Sequence, residues 1–205
     1  MEESLFKSIG VFSSVAMPPE NQLLHAIQRR DYALAQKLVG DVADFNAPRI
    51  LGRSFLRYAC EIGDRQICEL LVRCGSDPNE VNGKHRYTLL HNAAASSNYG
   101  AASILLSLGA DANSRTSFLA TPLHFAAKLG FEYLAVLLLD HGADIDSLDH
   151  RNKTPLEYAM RRGQTGMAKF LIRKHCRVTS HQTQRVPDSV TQLIAECGQV
   201  DLEPT

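Results

Sequence analysis

Apolar residues are grouped along most of the chain in two kinds of short block that alternate with each other. One kind opens with a small polar residue and ends in alanines, as in TLLHNAA at Thr88 and TPLHFAA at Thr121. The other kind, such as ICELLV and AVLLLD, carries its apolar residues at intervals of three and four. Those intervals are typical of an amphipathic helix. The pattern therefore predicts a series of paired short helices.

The blocks recur at a fixed interval. The strings that start at Thr88, Thr121 and Thr154 lie 33 residues apart, and SFLRYAC at Ser54 precedes them by 34 residues. A weaker copy, NQLLHAI, starts at Asn21. A unit of this size cannot bury its own apolar face, so such units stack on their neighbours. The sequence therefore predicts one elongated array of stacked units.

Each unit carries start and stop signals for its helices. A threonine opens three of the units and is suited to cap the first helix. Pro122 and Pro155 follow it at the first helical position, where a missing N–H removes no hydrogen bond. Glycine precedes an acidic turn in CGSDPN, LGADAN and HGADID, where a helix end favours a positive φ. We expect helix, turn, second helix, glycine and extended loop in each unit.

The TPLHxAA and GADxN pattern resembles ankyrin repeats, most closely over residues 121–146. The resemblance implies an all-α ankyrin-repeat solenoid of about five helix-turn-helix units with β-hairpin fingers, closed by a C-terminal half-repeat cap. Residues 1–20 are predicted to be an N-terminal extension that covers the first repeat, stays flexible or docks on a partner. The remaining predicted divisions are repeats over residues 21–178 (approximately 21–53, 54–87, 88–120, 121–153 and 154–178) and a capping helix and tail over residues 179–205.

Composition adds a prediction of compartment. Lys and Arg total 22 against 22 Asp and Glu, so net charge gives no argument for a nucleic-acid or membrane partner. The start of the chain is acidic, which is unlike a secretory leader, and no long apolar run suggests a membrane span. The five cysteines form no CxxC pair, which is typical of reduced core residues. We expect a cytoplasmic protein, also present in the nucleus.

The sequence contains no recognisable motif for catalysis or phosphate binding, such as GxxxxGK, GxGxxG, GxSxG or HExxH. His91 and His124 lie one repeat apart, at the fourth position of their TPLH-like motifs. The resemblance implies that these histidines hydrogen-bond the adjoining loops and do not bind metal. Arg57 and Glu157 take this position in two other units. We predict a protein that is not an enzyme and uses neither cofactor nor metal.

The resemblance implies that a protein partner binds at the finger tips and at the residues that follow the alanines. Large apolar side chains occupy several of these positions, and they either fold against neighbouring fingers or form a hot spot for the partner. At Leu119, where the family usually has glycine, a branched residue disfavours a positive φ, so we expect an altered turn in the third finger. The predicted apolar partner-binding residues are Ile50, Leu51, Ile62, Tyr87, Phe118, Leu119 and Leu129.

Two further features of this surface have open interpretations. Aromatic residues at the fifth motif position, Tyr58, Phe125 and Tyr158, pack between repeats or line a groove. Residues 147–182 contain eight basic and two acidic residues. The basic residues form either a solvated face or a contact for an acidic protein segment. Without aromatic stacking residues beside it, the basic segment argues against nucleic acid. The predicted basic contacts are Arg151, Arg161 and Arg162.

The predicted function is therefore a non-catalytic interaction module that binds a protein through its concave face and finger tips. The resemblance favours a regulatory subunit or inhibitor of a kinase complex. Inhibition of a transcription factor and service as a substrate adaptor are the alternatives. The fold by itself does not choose among them.

Overall fold

The computed structural model describes residues 18–42 and 53–174 of the chain. The predicted N-terminal extension, the first finger with Ile50 and Leu51, and the C-terminal capping helix lie wholly or mostly outside these residues. The described part contains ten α-helices in five consecutive pairs. They are α1 (Pro19–Gln28) and α2 (Tyr32–Leu38), α3 (Phe55–Ile62) and α4 (Arg65–Arg73), α5 (Leu89–Ala95) and α6 (Tyr99–Ser107), α7 (Pro122–Leu129) and α8 (Glu132–Asp140), and α9 (Pro155–Arg161) and α10 (Thr165–Arg173).

The helix ends follow the signals in the sequence. The side chain of Thr88 accepts a hydrogen bond from the N–H of His91 at the start of α5, and Pro122 and Pro155 occupy the first turns of α7 and α9. The second helices α4 and α6 begin after Asp64 and Asn98, whose side chains accept backbone N–H groups. These bonds satisfy donors that the first turn of a helix leaves free.

The helix pairs stack into one elongated core. The first helices α5, α7 and α9 pack on one another in sequence, and so do the second helices α6, α8 and α10. Buried apolar side chains form a single cluster that extends from Leu23 to Ile172. Paired alanines such as Ala126 and Ala127 are fully buried at these contacts, where their small side chains let the first helices approach closely. The predicted all-α solenoid is confirmed.

Loops between the pairs project as fingers. In the second finger, strands β1 (Val81–Asn82) and β2 (Tyr87–Thr88) pair antiparallel. The third finger closes with a hydrogen bond of 3.0 Å from Thr116 N–H to the carbonyl of Ala120, and the fourth with one of 3.1 Å from Asp149 N–H to the carbonyl of Lys153. The fingers therefore share a hairpin geometry, although only the second has paired strands within the described residues.

Our prediction of an altered turn in the third finger is wrong. Leu119 has a φ of +56°, which matches +55° at Arg86 and +53° at Asn152, the corresponding residues of the second and fourth fingers. Bonds to the flanking fingers hold this turn, because Ser117 N–H donates to the carbonyl of His85 and His150 N–H to that of Phe118. The neighbours thus impose a backbone conformation that leucine disfavours.

The junction between the second and third repeats differs from those that follow. The 34-residue spacing places an extra residue here, and across this junction α3 packs mainly on the second helix α6, whereas in the following repeats first helix packs mainly on first helix. A cleft of about 280 Å³ lies between α3 and the third repeat, with Arg57 and Cys60 on one side and Asn92 and Ala93 on the other. The longer interval therefore leaves this junction less closely packed.

Candidate partner-binding site

The finger tips lie side by side in a hydrogen-bonded row. Ser117 binds the second finger twice, through its N–H to the carbonyl of His85 at 2.9 Å and through its hydroxyl to the carbonyl of Lys84 at 3.1 Å. The N–H of His150 in the fourth finger donates to the carbonyl of Phe118 at 3.0 Å. Each tip is thus held by the next, so the row presents a defined surface.

Phe118 lies at the centre of this row, between two histidine rings. The ring centroids of His85 and His150 are each 5.3 Å from that of Phe118. Phe118 is nevertheless 43% exposed and Leu119 is 42% exposed. The ring therefore packs against its neighbours and still leaves part of its apolar surface exposed, so the partner contact stays a prediction.

His150 is oriented by hydrogen bonds on both ring nitrogens. Its Nε2 accepts from the Nε–H of Arg151 at 3.2 Å, so its Nδ1 carries the proton and donates to the carbonyl of Phe118 at 3.1 Å. The ring therefore links the apolar centre of the row to the basic residues of the fourth finger. Without coordinates the sequence offers no signal for this bridge.

The other predicted apolar residues lie in different environments. Leu129, the last residue of α7, is 38% exposed. Ile62 is half-buried and packs against the core at the end of α3. Tyr87 is half-buried, with its ring centroid 5.8 Å from that of Phe125 and 6.1 Å from that of His91. Of the predicted apolar residues that the structure describes, the exposed ones are thus Phe118, Leu119 and Leu129.

The aromatic residues at the fifth motif position pack between repeats. Phe125 contacts the His91 ring of the preceding repeat at 5.7 Å, and Tyr158 contacts the His124 ring at 5.1 Å. Tyr58 is also half-buried against the core, and Arg53 lies over its ring at 5.8 Å. Of the two interpretations of this position, the contacts favour inter-repeat packing.

His91 and His124 hold the start of a helix to the end of the next finger. Nδ1 of His91 accepts from the N–H of Thr88 at 3.2 Å, and its Nε2–H donates to the carbonyl of Ala120 at 3.0 Å. His124 makes the same bonds to Thr121 and to the carbonyl of Lys153. Both rings are fully buried, and this burial lowers the pKa of each below its ordinary value. No cluster of metal-binding side chains occurs in residues 18–42 and 53–174.

The fourth finger is organised around Asp149, which is 2% exposed. Its Oδ1 accepts from the N–H of Arg151 and of Lys153, each at 2.8 Å, and its Oδ2 accepts from the hydroxyl of Tyr158 at 2.8 Å. Burial opposes ionisation of this carboxyl, but the three donors outweigh burial and lower the pKa of Asp149. Burial and the bond to Asp149 raise the pKa of Tyr158 to about 12. Asp149 thus remains a carboxylate whose oxygens accept hydrogen bonds from its own finger and from Tyr158 of α9.

A basic pocket of about 190 Å³ lies between the fourth finger and α9, and His150, Asp149 and Tyr158 form part of its wall. Lys128 belongs to it as well, and the sequence analysis missed this residue although it stands one repeat before Arg161. The repeat interval was the signal that could have found it. The cationic residues of the pocket are Lys128, Arg151, Lys153, Arg161 and Arg162.

Comparison with known proteins agrees with the stacked helix pairs. A family model described as ankyrin repeats (3 copies) matches residues 23–116 and 114–182. The chain is 32% identical over 134 residues to alpha-latrotoxin-Lg1a of Latrodectus geometricus, which covers 62% of this chain and 10% of that protein. It is 38% identical over 85 residues to the ADP-ribosylation factor GTPase-activating protein AGD4 of Arabidopsis thaliana, which covers 40% of this chain and 10% of that protein.

A third relative is the E3 ubiquitin-protein ligase KEG of Arabidopsis thaliana, which is 33% identical over 66 residues, or 32% of this chain and 4% of that protein. The chain thus spans a tenth or less of the length of these relatives. The likeness therefore lies in the repeats they share.

The stacked helix pairs with projecting fingers define an elongated repeat protein, a class built for interaction with other proteins. The chain belongs to the ankyrin-repeat family. Members of this family generally serve as non-catalytic protein-interaction domains, and the chain is a protein-interaction module. Within the described residues, no helix has both the length and the apolar character needed to cross a bilayer.

Proposed function

We propose that the chain binds a protein partner through the finger face, which we define as the row of finger tips together with the adjoining ends of the first helices. The observation that carries this proposal is the exposure of Phe118 and Leu119 at the centre of a hydrogen-bonded row. Clustered apolar side chains on a surface are typical of interaction sites. Burying each of them on a partner would contribute roughly 1.5–3 kcal/mol.

The interaction is rigid docking without catalysis. The bonds between neighbouring fingers hold the tips in place before a partner arrives, so little conformational entropy is lost on binding. Leu129 extends the apolar surface toward α7, and Arg151, Arg161 and Arg162 flank it on the C-terminal side. Ile50, Leu51, Ile62 and Tyr87 belong to the same proposal at its N-terminal side.

Among partners we propose a kinase complex, for which the chain is a regulatory subunit or inhibitor. Support comes from the family resemblance, since small ankyrin-repeat proteins often have this role. A transcription factor or the substrate of an adaptor would dock on the same surface, and the identity of the partner decides among the three. We place the protein in the cytoplasm, and also in the nucleus. The buried thiols of Cys60 and Cys68 are free and lie within hydrogen-bonding distance, with their sulfur atoms 3.6 Å apart, which suits these reducing compartments.

The test is quantitative affinity purification of the full chain from cells that express it. We expect Phe118→Asp/Leu119→Asp to abolish recovery of one stoichiometric partner, because two carboxylates would have to be buried against an apolar surface. Tyr133→Asp is the matched control, since Tyr133 is 86% exposed on the second helix α8, away from the finger tips. Circular dichroism establishes that all three proteins are equally folded.

Equal recovery of every partner by the double variant would overturn the finger face as the docking surface. Recovery of a kinase catalytic subunit would support the kinase proposal. A transcription factor or a ubiquitin-ligase component in its place would support the corresponding alternative and exclude the kinase proposal.

A further inference from the structure

The basic pocket concentrates positive charge in a small space. Its volume is about 190 Å³, and it collects five cationic side chains from α7, the fourth finger and the end of α9. Its only carboxylate, that of Asp149, is 2% exposed and accepts hydrogen bonds from two backbone N–H groups and the Tyr158 hydroxyl. An anion that enters the pocket is therefore close to several cations. The oxygens of Asp149 already accept hydrogen bonds from within the fold.

Most of these cations lack an acidic partner within residues 18–42 and 53–174. Lys153 pairs with Glu157 at 2.7 Å, whereas Lys128, Arg161 and Arg162 form no ion pair there. Like charges that converge without counter-ions repel one another. A bound anion reduces this repulsion. Its binding is therefore favoured by several cations at once and not by one ion pair alone.

We propose that the basic pocket binds the phosphate group of a phosphorylated serine or threonine in the protein partner. A phosphate carries about 1.5–2 negative charges and three strong acceptor oxygens in one compact group. The planar guanidinium of an arginine binds two phosphate oxygens at once, through two parallel N–H donors. A run of carboxylates spreads its charge at about 3.3 Å per residue along an extended peptide, which fits a stripe of cations better than a pocket. The proposal rests on the proposed function, because the same partner would supply the phosphate.

The pocket adjoins the apolar surface of the finger face. His150 forms part of the pocket wall, and its ring centroid lies 5.3 Å from that of Phe118. Lys128 in the pocket directly precedes the exposed Leu129. One partner segment would therefore place an apolar side chain on Phe118 and Leu119 and a phosphorylated residue in the pocket. Phosphorylation of the partner would then control its binding.

The test uses immobilised full-length chain and three degenerate nine-residue peptide libraries. The central residue is phosphoserine or phosphothreonine in the first library, serine or threonine in the second and glutamate in the third. We expect at least tenfold greater retention of the phosphorylated library, and about a tenfold to hundredfold loss for Arg161→Glu/Arg162→Glu. The matched control is Arg173→Glu/Lys174→Glu, which makes the same change of charge at exposed residues at the end of α10 and should retain the library fully.

Three results would overturn the phosphate proposal. Equal retention of the glutamate library would show that any acidic peptide suffices. An equal loss in the two charge variants would show unspecific long-range attraction, and failure to retain the phosphorylated library would show that the pocket does not bind phosphate in a peptide.

A second measurement separates this proposal from the proposed function. Phosphatase treatment of the cell extract should remove the partner that Phe118→Asp/Leu119→Asp also loses. If phosphatase has no effect while the Phe118/Leu119 variant still loses the partner, the finger face is the docking surface and the phosphate proposal is wrong.

Discussion

At the residue scale, Leu119 occupies a position that does not suit its side chain. Its φ of +56° lies in the left-handed region, which costs a residue with a branched side chain about 1–2 kcal/mol, and 42% of Leu119 is exposed. The same φ at Arg86 and Asn152 shows that the hairpin geometry sets this conformation, and the exposed leucine is available for the partner contact proposed above.

The first prediction is that Leu119→Gly stabilises the protein and weakens partner binding. Glycine adopts this φ without strain, so we expect the free energy of unfolding in urea to rise by about 1 kcal/mol. Partner recovery should fall because an apolar contact is lost. Asn152→Gly is the control at the corresponding turn, and it should change stability less because asparagine tolerates the conformation. A loss of stability in Leu119→Gly would mean that contacts of the leucine within the fold outweigh its strain.

At the scale of elements, buried histidines hold each helix start to the following finger. In the third repeat, Nδ1 of His91 accepts from the N–H of Thr88, while the protonated Nε2 donates to the carbonyl of Ala120. A second proton on the ring would remove the acceptor and place a charge in a fully buried site. Only the neutral ring fits this arrangement, and the same holds for His124.

The second prediction follows from the lowered pKa values of these two histidines. The unfolded histidines take up protons as the pH falls below about 6.5, before the folded ones do, so stability is fully present above that pH and declines below it. The slope is at most about 1.4 kcal/mol per pH unit for each ring. Urea denaturation between pH 7.5 and pH 5 measures it.

His124→Asn should have a shallower slope than the unchanged protein, because one of the two groups is removed. An unchanged slope in His124→Asn would show that the buried rings do not govern the pH dependence.

At the scale of the whole molecule, the helices at the junction between the second and third repeats are less closely packed than those at the junctions that follow. Arg57 stands where the next two repeats have histidine, and its Nε–H donates to Glu61 at 2.9 Å instead of binding a finger. The cleft of about 280 Å³ at this junction reflects the same loss of contact. In a repeat protein, stability is approximately the sum of unit and interface terms. A weak interface therefore lets one end unfold before the other.

The third prediction is that residues 18–73 open at a lower free energy than residues 88–174. Native-state hydrogen exchange measures the free energy of the opening that exposes each amide. For the amides of α3 and α4 we expect this free energy to be lower by about 1 kcal/mol or more than for those of α7 and α9. Arg57→His combined with deletion of Lys84 restores both the histidine and the 33-residue interval. In this variant, the opening free energies of residues 18–73 and residues 88–174 should differ less than in the unchanged protein. Uniform exchange in the unchanged protein would show that the junction is not weak.

Much of this protein was determined by local sequence. The 33-residue interval, the threonine and proline signals at helix starts and the alanines at inter-helix contacts each act within a unit or between adjacent units. Such interactions recur at fixed spacings, and for this reason the helix pairs were predictable. The burial of Cys60 and Cys68 follows in the same way from their places on helix faces. The roles of His91 and His124 were implied by the family resemblance.

The tertiary structure alone decided how different fingers act on one another. The turn at Leu119 contradicts the preference of its own residue, because hydrogen bonds from the second and fourth fingers override it. The stacking of Phe118 between His85 and His150, and the pocket that joins Lys128 to Arg161, depend on the distance between fingers and helices of successive units. Those distances result from packing of the whole stack, so no single repeat encodes them.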